Sequence, residues 1–138
     1  MRFRKALTED IPAALALARR LDLDYPGQES DPMWIAEDGG RMVGLVALKT
    51  HSDCLELCAL GVDPASRGRG IARALVEALM SEAPGDVHLA TIIPGFFESC
   101  GFRTVPSGIP ATFPAKRETS WCDGCPRALC TVMSRGKP

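Results

Sequence analysis

The chain has 138 residues, 46% of them hydrophobic and 24% charged, and a formal net charge of −1. A chain of that length builds one core that buries roughly two thirds of its unfolded surface, and its balanced charge leaves no electrostatic footprint for nucleic acid. No apolar run reaches the roughly 18–20 residues that cross a bilayer, so the sequence predicts a cytoplasmic protein that partners neither nucleic acid nor membrane, with its six cysteines mostly reduced.

Residues 2–6 read as a short strand. Residues 9–20 read as an amphipathic helix capped by Thr8, because Ile11, Ala14, Leu15 and Ala18 recur at helical spacing. A signal peptide is not expected there, since Glu9 and Asp10 interrupt the apolar run and Arg19 and Arg20 end it. The polar stretch 22–31, with Pro26 and Gly27, predicts a mobile loop. Residues 33–37 and 41–49 flank Asp38-Gly39-Gly40 and predict an antiparallel hairpin.

A further strand is expected over 53–62, its alternation putting Cys54, Glu56, Cys58 and Leu60 on one face and Leu55, Leu57 and Ala59 on the other. A glycine-rich turn then opens a helix to about Glu82, with Ile71, Ala74, Leu75, Ala78 and Leu79 as its buried stripe. Residues 87–91 predict a buried strand, 94–100 a short helix ended by Gly101, and 129–133 a last strand after an irregular stretch, 106–123, with three prolines. This order predicts a single α/β (α+β) domain over 1–138, a mixed and mostly antiparallel sheet flanked by helices, with a cysteine-containing C-terminal segment 106–138.

The segment with chemical content is Val62-Asp63-Pro64-Ala65-Ser66-Arg67-Gly68-Arg69-Gly70-Ile71-Ala72, between a strand and a helix. Glycines let a backbone approach a diphosphate, successive amide N–H groups point at it, and the positive end of the helix macrodipole faces the same place. Arg67 and Arg69 add positive charge. The dinucleotide fingerprint does not fit, since Arg73 stands where its third glycine belongs, and a P-loop's lysine and hydroxyl residue are missing too. A different diphosphate ligand is implied.

The segment closely resembles the acetyl-CoA motif of the GNAT superfamily of N-acetyltransferases, which is Arg or Gln, two residues, Gly, one residue, then Gly or Ala; Arg67, Gly70 and Ala72 stand at those places. Phe96-Phe97-Glu98-Ser99-Cys100-Gly101-Phe102 is similar to the family's later Phe-Tyr-Glu-x-x-Gly-Phe segment, and the looser likeness of Arg4 to Ile11 extends the resemblance over residues 1 to about 105. The resemblance implies the GNAT fold, acetyl-CoA as cosubstrate, a pantetheine arm paired with the backbone of Leu60, Gly61 and Val62, and a pyrophosphate held by Arg67, Gly68, Arg69, Gly70, Ile71 and Ala72.

It also implies direct attack of a free amine on the thioester, which needs a base for the ammonium proton and an acid for the thiolate. Glu56 is the candidate base: it stands four residues before the leucine of Leu60-Gly61-Val62, where the amino-acid acetyltransferase branch often has a glutamate. An apolar strand setting of the kind the alternation predicts raises a carboxylate's affinity for protons; the competing reading is a glutamate at a strand edge, solvated or salt-bridged. The family's usual acid, a tyrosine, falls on Phe97, which has no proton to give and is assigned instead to the cofactor arm. Water, Ser99 or Cys100 remain as acids, and the only tyrosine is Tyr25.

His88-Leu89-Ala90-Thr91, Ile109-Pro110 and Lys116-Arg117 are similar to features of short N-acetylglutamate synthase-like acetyltransferases, so an amino-acid acceptor is expected, with Lys116 or Arg117 binding its carboxylate. Cys122, Cys125 and Cys130 lie within nine residues and can chelate zinc, with Cys100, Cys58, Cys54 or His88 as a fourth ligand; reduced core cysteines and a redox or structural C-x-x-C pair are the competing readings. His51 reads as turn chemistry with a base role open, and Trp34 and Trp121 as packing or pocket walls. The alternatives to small-molecule acetylation are a protein or peptide N-acetyltransferase and a noncatalytic acetyl-CoA or metal sensor. A homodimer stays open.

Overall fold

The computed structural model describes residues 1–117, 126 and 129–137. β1 (Arg2–Lys5) pairs antiparallel with β2 (Met33–Asp38), which turns at Gly39-Gly40 into β3 (Arg41–Thr50), as the apolar runs on either side of that turn predict. β4 (Leu55–Val62) returns antiparallel to β3. β5 (Val87–Thr91) lies parallel to β4, and β6 (Arg103–Thr104) and β7 (Thr131–Arg135) complete one sheet in the order β1-β2-β3-β4-β5-β7-β6.

Two-residue alternation sorts the central strands onto two faces. Trp34 and Ala36 of β2, and Val43, Val46 and Leu48 of β3, pack with Ile71, Leu75, Val76, Leu79 and Met80 of α2 (Ile71–Glu82). Met33, Ile35, Leu45 and Ala47 pack on the other face with Ala14, Leu17 and Ala18 of α1 (Ile11–Arg20). The single core expected from length is thus split by the sheet into two buried clusters. The α2 stripe is also wider than expected: Val76 and Met80 are buried, while Ala74 and Ala78 are only half-buried. Burying each large aliphatic side chain stabilises by about 2 kcal/mol, so α2 is held chiefly by this face. Trp34 belongs to that core, and its indole N–H donates to Glu82.

Two local expectations are corrected. Thr8 does not cap α1: residues Thr8–Asp10 form a 3-10 turn, and the Asp10 carboxylate accepts from the Leu7 amide at 2.7 Å and from Arg4 at 2.6 Å. The amides a Thr8 hydroxyl would cap are taken within that turn by backbone carbonyls, Asp10 N–H donating to Leu7 at 2.9 Å and Ile11 N–H to Thr8. The stretch 106–123, read as irregular, holds α4 (Thr112–Arg117), because Asp53 on the β3–β4 connection accepts from both the Thr112 amide and its hydroxyl, at 3.1 and 2.6 Å. That cap is 59 residues away, so no local pattern announces it. The stretch 22–31 contains a 3-10 turn, Gln28–Ser30, and Gln28 is buried. The helix α3 (Pro94–Ser99) forms as predicted.

β4 is irregular where the site forms. Ala47 faces Cys58 but Leu45 faces Gly61, so β4 carries one extra residue at a bulge where Ala59 adopts φ +55°. β4 and β5 pair at Leu55↔Val87 and Glu56↔His88, and beyond that point their residues line opposite walls of a cavity. Among the described residues no helix is long and apolar enough to cross a membrane.

Candidate active site

Three cavities follow one another through the molecule. The first, about 370 Å³, is a cleft walled by Leu60, Gly61 and Val62 of β4 and by the loop that starts α2. Gly68 and Gly70 adopt φ +80° and +76°, the left-handed region that a side chain makes costly, and a Cβ at either would meet nothing within 4 Å. The loop backbone is therefore open on its outer side, as a diphosphate cradle requires. Arg67 lines the cleft and its Nε donates to the Val62 carbonyl at 3.2 Å. The Arg69 side chain instead reaches away, donating to Asp38 at 2.8 Å and holding that carboxyl below the usual carboxylate range. Phe96, the first residue of the segment similar to the family's later motif, lines the same cleft, together with Arg73 and Ile93, which carry no motif signal of their own.

The second cavity, about 450 Å³, occupies the gap between the diverging strands β4 and β5. Leu57 to Leu60 form one wall, Leu89 to Thr91 the other, and Phe97 closes it from α3, its ring edge-on to Phe96 and Phe102. Leu60 and Ile93 belong to this cavity and to the first. A Cβ on Gly61 would lie 2.3 Å from Leu23 Cδ1, so the chain after α1 presses directly on β4 here. Two thiolate-acid candidates are displaced: the Ser99 hydroxyl donates to the Phe96 carbonyl, and Cys100 is buried in the α2-side core. Each satisfies its own helix end or core instead of facing the gap.

The third cavity, about 390 Å³, is lined by Tyr25, Pro26, Lys49, His51, Glu56, Cys58, Thr112, Ala115 and Lys116. Cys58 is common to it and to the second cavity. Glu56 is only 3% exposed, yet its surroundings are not the apolar ones its strand neighbours predict. His51 Nε2 lies 2.8 Å from Oε1, and Lys116 Nζ lies 2.8 Å from Oε2. β3 and β4 deliver His51 across a tight connection, where the His51 amide donates to the Cys54 carbonyl at 2.8 Å, while α4 delivers Lys116 from 60 residues away. Burial of the ion pair is tolerated because both carboxylate oxygens have partners.

Around that pair, the Tyr25 hydroxyl donates to Asp31 at 2.7 Å, and Lys49 sits 5.1 Å from the Tyr25 ring centre and 3.8 Å from Asp31. Burial, with the Cys58 and Asp31 charges adding, holds Tyr25 protonated far above its ordinary range; burial likewise pushes the Cys58 thiol up to about 11. Tyr25, Lys49 and Thr112 are site residues that sequence reasoning missed, since none lies in a motif. His51 was legible as a residue five positions from Glu56 across a turn. His88 is the register partner of Glu56, and its buried Nδ1 has no hydrogen-bond partner among the described residues, its ring tilted against Phe113.

The cation pair predicted for the substrate is divided: Lys116 reaches the cavity, while the Arg117 side chain lies outside the described residues. Of the zinc candidates, Cys122 and Cys125 also lie outside them, and Cys130 lines the gap between β4 and β5. Among the described residues no group of three His, Cys, Asp or Glu side chains is arranged to hold a metal.

Comparison with known proteins agrees with this geometry. Residues 29–104 match the family described as "Acetyltransferase (GNAT) domain". The chain is 32% identical to an amino-acid acetyltransferase of Mycobacterium tuberculosis, over 79% of this chain and 71% of that protein. Its fold is similar to a Mycobacterium tuberculosis protein solved in complex with CoA and NLQ, at 23% identity and TM-score 0.71 over 99% of each chain. It is also similar to N-acetylglutamate synthase from Neisseria gonorrhoeae complexed with coenzyme A and N-acetyl-glutamate, at 22% identity and TM-score 0.75 over 99% of this chain and 35% of that one. With the glycine cradle, the opened β4–β5 gap and a family match over more than half its length, the chain belongs to the GNAT acetyltransferases and is an acetyl-CoA-dependent N-acetyltransferase.

Proposed function

We propose that this enzyme moves the acetyl group of acetyl-CoA to the primary amine of an amino acid or similar small molecule by direct attack, with Glu56 taking the proton of the acceptor's ammonium. The observation that carries the reading is the run of cavities: the glycine-loop cleft shares Leu60 and Ile93 with the β4–β5 gap, and the gap shares Cys58 with the third cavity, on which the 3% exposed Glu56 opens. In this reading the Arg67 to Ala72 loop holds the pyrophosphate, Leu60, Gly61, Val62 and Phe97 flank the pantetheine arm, and Lys116 and Arg117 serve the acceptor's carboxylate. The names of the Mycobacterium tuberculosis relative and of the Neisseria gonorrhoeae synthase support an amino-acid acceptor.

The proton balance accommodates a phenylalanine at position 97. Glu56 accepts one proton from the ammonium; the amine's lone pair then forms the C–N bond as the C–S bond breaks, its electron pair leaving on sulfur. The second proton released by nitrogen as the amide forms neutralises the thiolate, and Glu56 returns its proton to water. A thiolate is stable enough at neutral pH to depart without a dedicated acid.

The test is release of free CoA thiol from acetyl-CoA against a panel of amino acids. Release that depends on the added amine, and a drop in kcat of about 10²–10⁴-fold in Glu56→Gln, is the expected result. Release indifferent to both the amine and Glu56 would overturn the reading, and acetyl-CoA binding without any turnover would favour a sensor.

A further inference from the structure

The proposed reaction puts a proton on Glu56 once per turnover, and Glu56 is 3% exposed. A carboxyl shut away from water has to discharge through a neighbour before it can act as a base again. Among the described residues two side chains touch its oxygens, His51 Nε2 at Oε1 and Lys116 Nζ at Oε2, each at 2.8 Å. Their chemistry differs. A lysine ammonium has three donors and no acceptor, whereas an imidazole accepts at one nitrogen while it donates at the other.

The fold places that imidazole between the site and solvent. His51 follows the last residue of β3, its amide donates to the Cys54 carbonyl at 2.8 Å, and its neighbours Ser52 and Asp53 are exposed. The His51 side chain is 19% exposed against 4% for that of Glu56. The backbone is therefore held by the tight connection while the ring reaches from the buried carboxylate outwards. The other histidine, His88, is the register partner of Glu56 but offers no such path, since its buried Nδ1 has no hydrogen-bond partner among the described residues.

We infer that His51 is the proton outlet of Glu56: a positioning residue that holds Oε1 between turnovers and carries the ammonium proton to water after each acetyl transfer. The inference rests on the acetyl-transfer reading above and adds to it the route by which Glu56 becomes a base again. The protons balance. With Glu56 protonated, Oε1–H donates to Nε2 and the ring releases its Nδ1 proton to water, so one proton enters the ring and one leaves. The ring then holds its proton on Nε2, donates to the ionised Oε1, and regains the Nδ1–H form by exchange with water. The one contact serves both states, with donor and acceptor exchanged.

The experiment follows CoA thiol release from acetyl-CoA with L-glutamate, L-glutamine and L-alanine, in wild type, His51→Gln and His51→Ala. Glutamine can keep an N–H on Oε1 but cannot pass a proton on, so it separates the relay from the hydrogen bond. In both variants kcat should fall by about 10²-fold, while KM for the acceptor stays within about threefold and the thermal shift given by acetyl-CoA is retained. Imidazole added to the buffer should raise kcat of His51→Ala at least about tenfold, saturably, and leave wild type unchanged. A wild-type kcat in His51→Gln would overturn the inference, because the hydrogen bond alone would then suffice. A loss in His51→Ala that imidazole does not recover, with the acetyl-CoA thermal shift intact, would overturn it too, as the mark of a merely structural contact. If His51→Ala loses that thermal shift, kcat of His51→Gln decides alone. No amine-dependent CoA release by wild type would overturn the acetyl-transfer reading and the inference with it.

Discussion

The cleft proposed for the cofactor and the cavity proposed for the acceptor are built in opposite ways. The cleft takes most of its wall from a stretch of fourteen positions, Leu60 to Arg73, in which strand end, glycine loop and helix start are consecutive. The acceptor cavity draws on residues at 25–26, 49–58 and 112–116, brought together by the chain after α1, the β3–β4 pair and α4. A ligand bound mainly through backbone groups asks for a local chain geometry, and local geometry is written consecutively. A ligand discriminated by its charge asks for side chains aimed from several directions, and only packing supplies that.

The largest expected effect breaks the local half with one substitution. Gly70→Glu places a side chain at φ +76° and a negative charge in the cleft. In wild type, acetyl-CoA at about a hundred times its dissociation constant should add roughly 2.7 kcal/mol, about 8 °C in thermal midpoint at this size; in Gly70→Glu that rise should vanish. A rise that survives would mean the loop is not the diphosphate cradle. Gly61→Ala is milder: its Cβ drives Leu23 out of its place on β4, so KM for acetyl-CoA should rise about tenfold, with a stability cost on the order of 1–2 kcal/mol.

The distributed half should yield to a residue that touches no ligand. Asp53→Ala removes the cap of α4, so KM for the acceptor should rise about three- to tenfold while the acetyl-CoA thermal shift is retained. Loss of both together would show the two halves to be one unit. The smallest effect concerns Cys58 at their junction. Burial raises its thiol from 9.0 to about 11, so the folded state keeps the proton that the unfolded state gives up. That contribution is complete below pH 9 and is lost as pH rises from about 9 to 11, and Cys54, also pushed up to about 11 by burial, acts in the same direction. Wild type should lose about 2–3 °C more than Cys58→Ala across that window in thermal scans; equal losses would refute the role of Cys58.

The contrast also explains which readings were legible in the chain. The hairpin around Gly39-Gly40, the helix α2 and the helix at Pro94 follow from turn chemistry and periodicity and form as expected, although the buried face of α2 takes in Val76 and Met80 and leaves Ala74 and Ala78 half-buried. Thr8 fails as a cap because the 3-10 turn it starts already bonds the Asp10 and Ile11 amides to backbone carbonyls, and α4 escapes notice because its cap, Asp53, arrives through the tertiary fold. Glu56 was recognisable as a candidate from its distance to Leu60-Gly61-Val62, and of the two settings open to it, apolar or salt-bridged, the structure shows the salt-bridged one. Strand neighbours predict an apolar setting, whereas His51 and Lys116 reach it from outside the strand.

What the sequence by itself determined is the glycine loop proposed as the diphosphate cradle and the family it belongs to, because positive φ at Gly68 and Gly70, a helix start and a strand end are properties of consecutive residues. What only the tertiary structure decided is the acceptor side: that α4 folds back over β4, that Lys116 closes on Glu56, and that Cys58 stands where two cavities meet. Contacts across 60 residues depend on the summed packing of every element between them, and no local pattern encodes that sum.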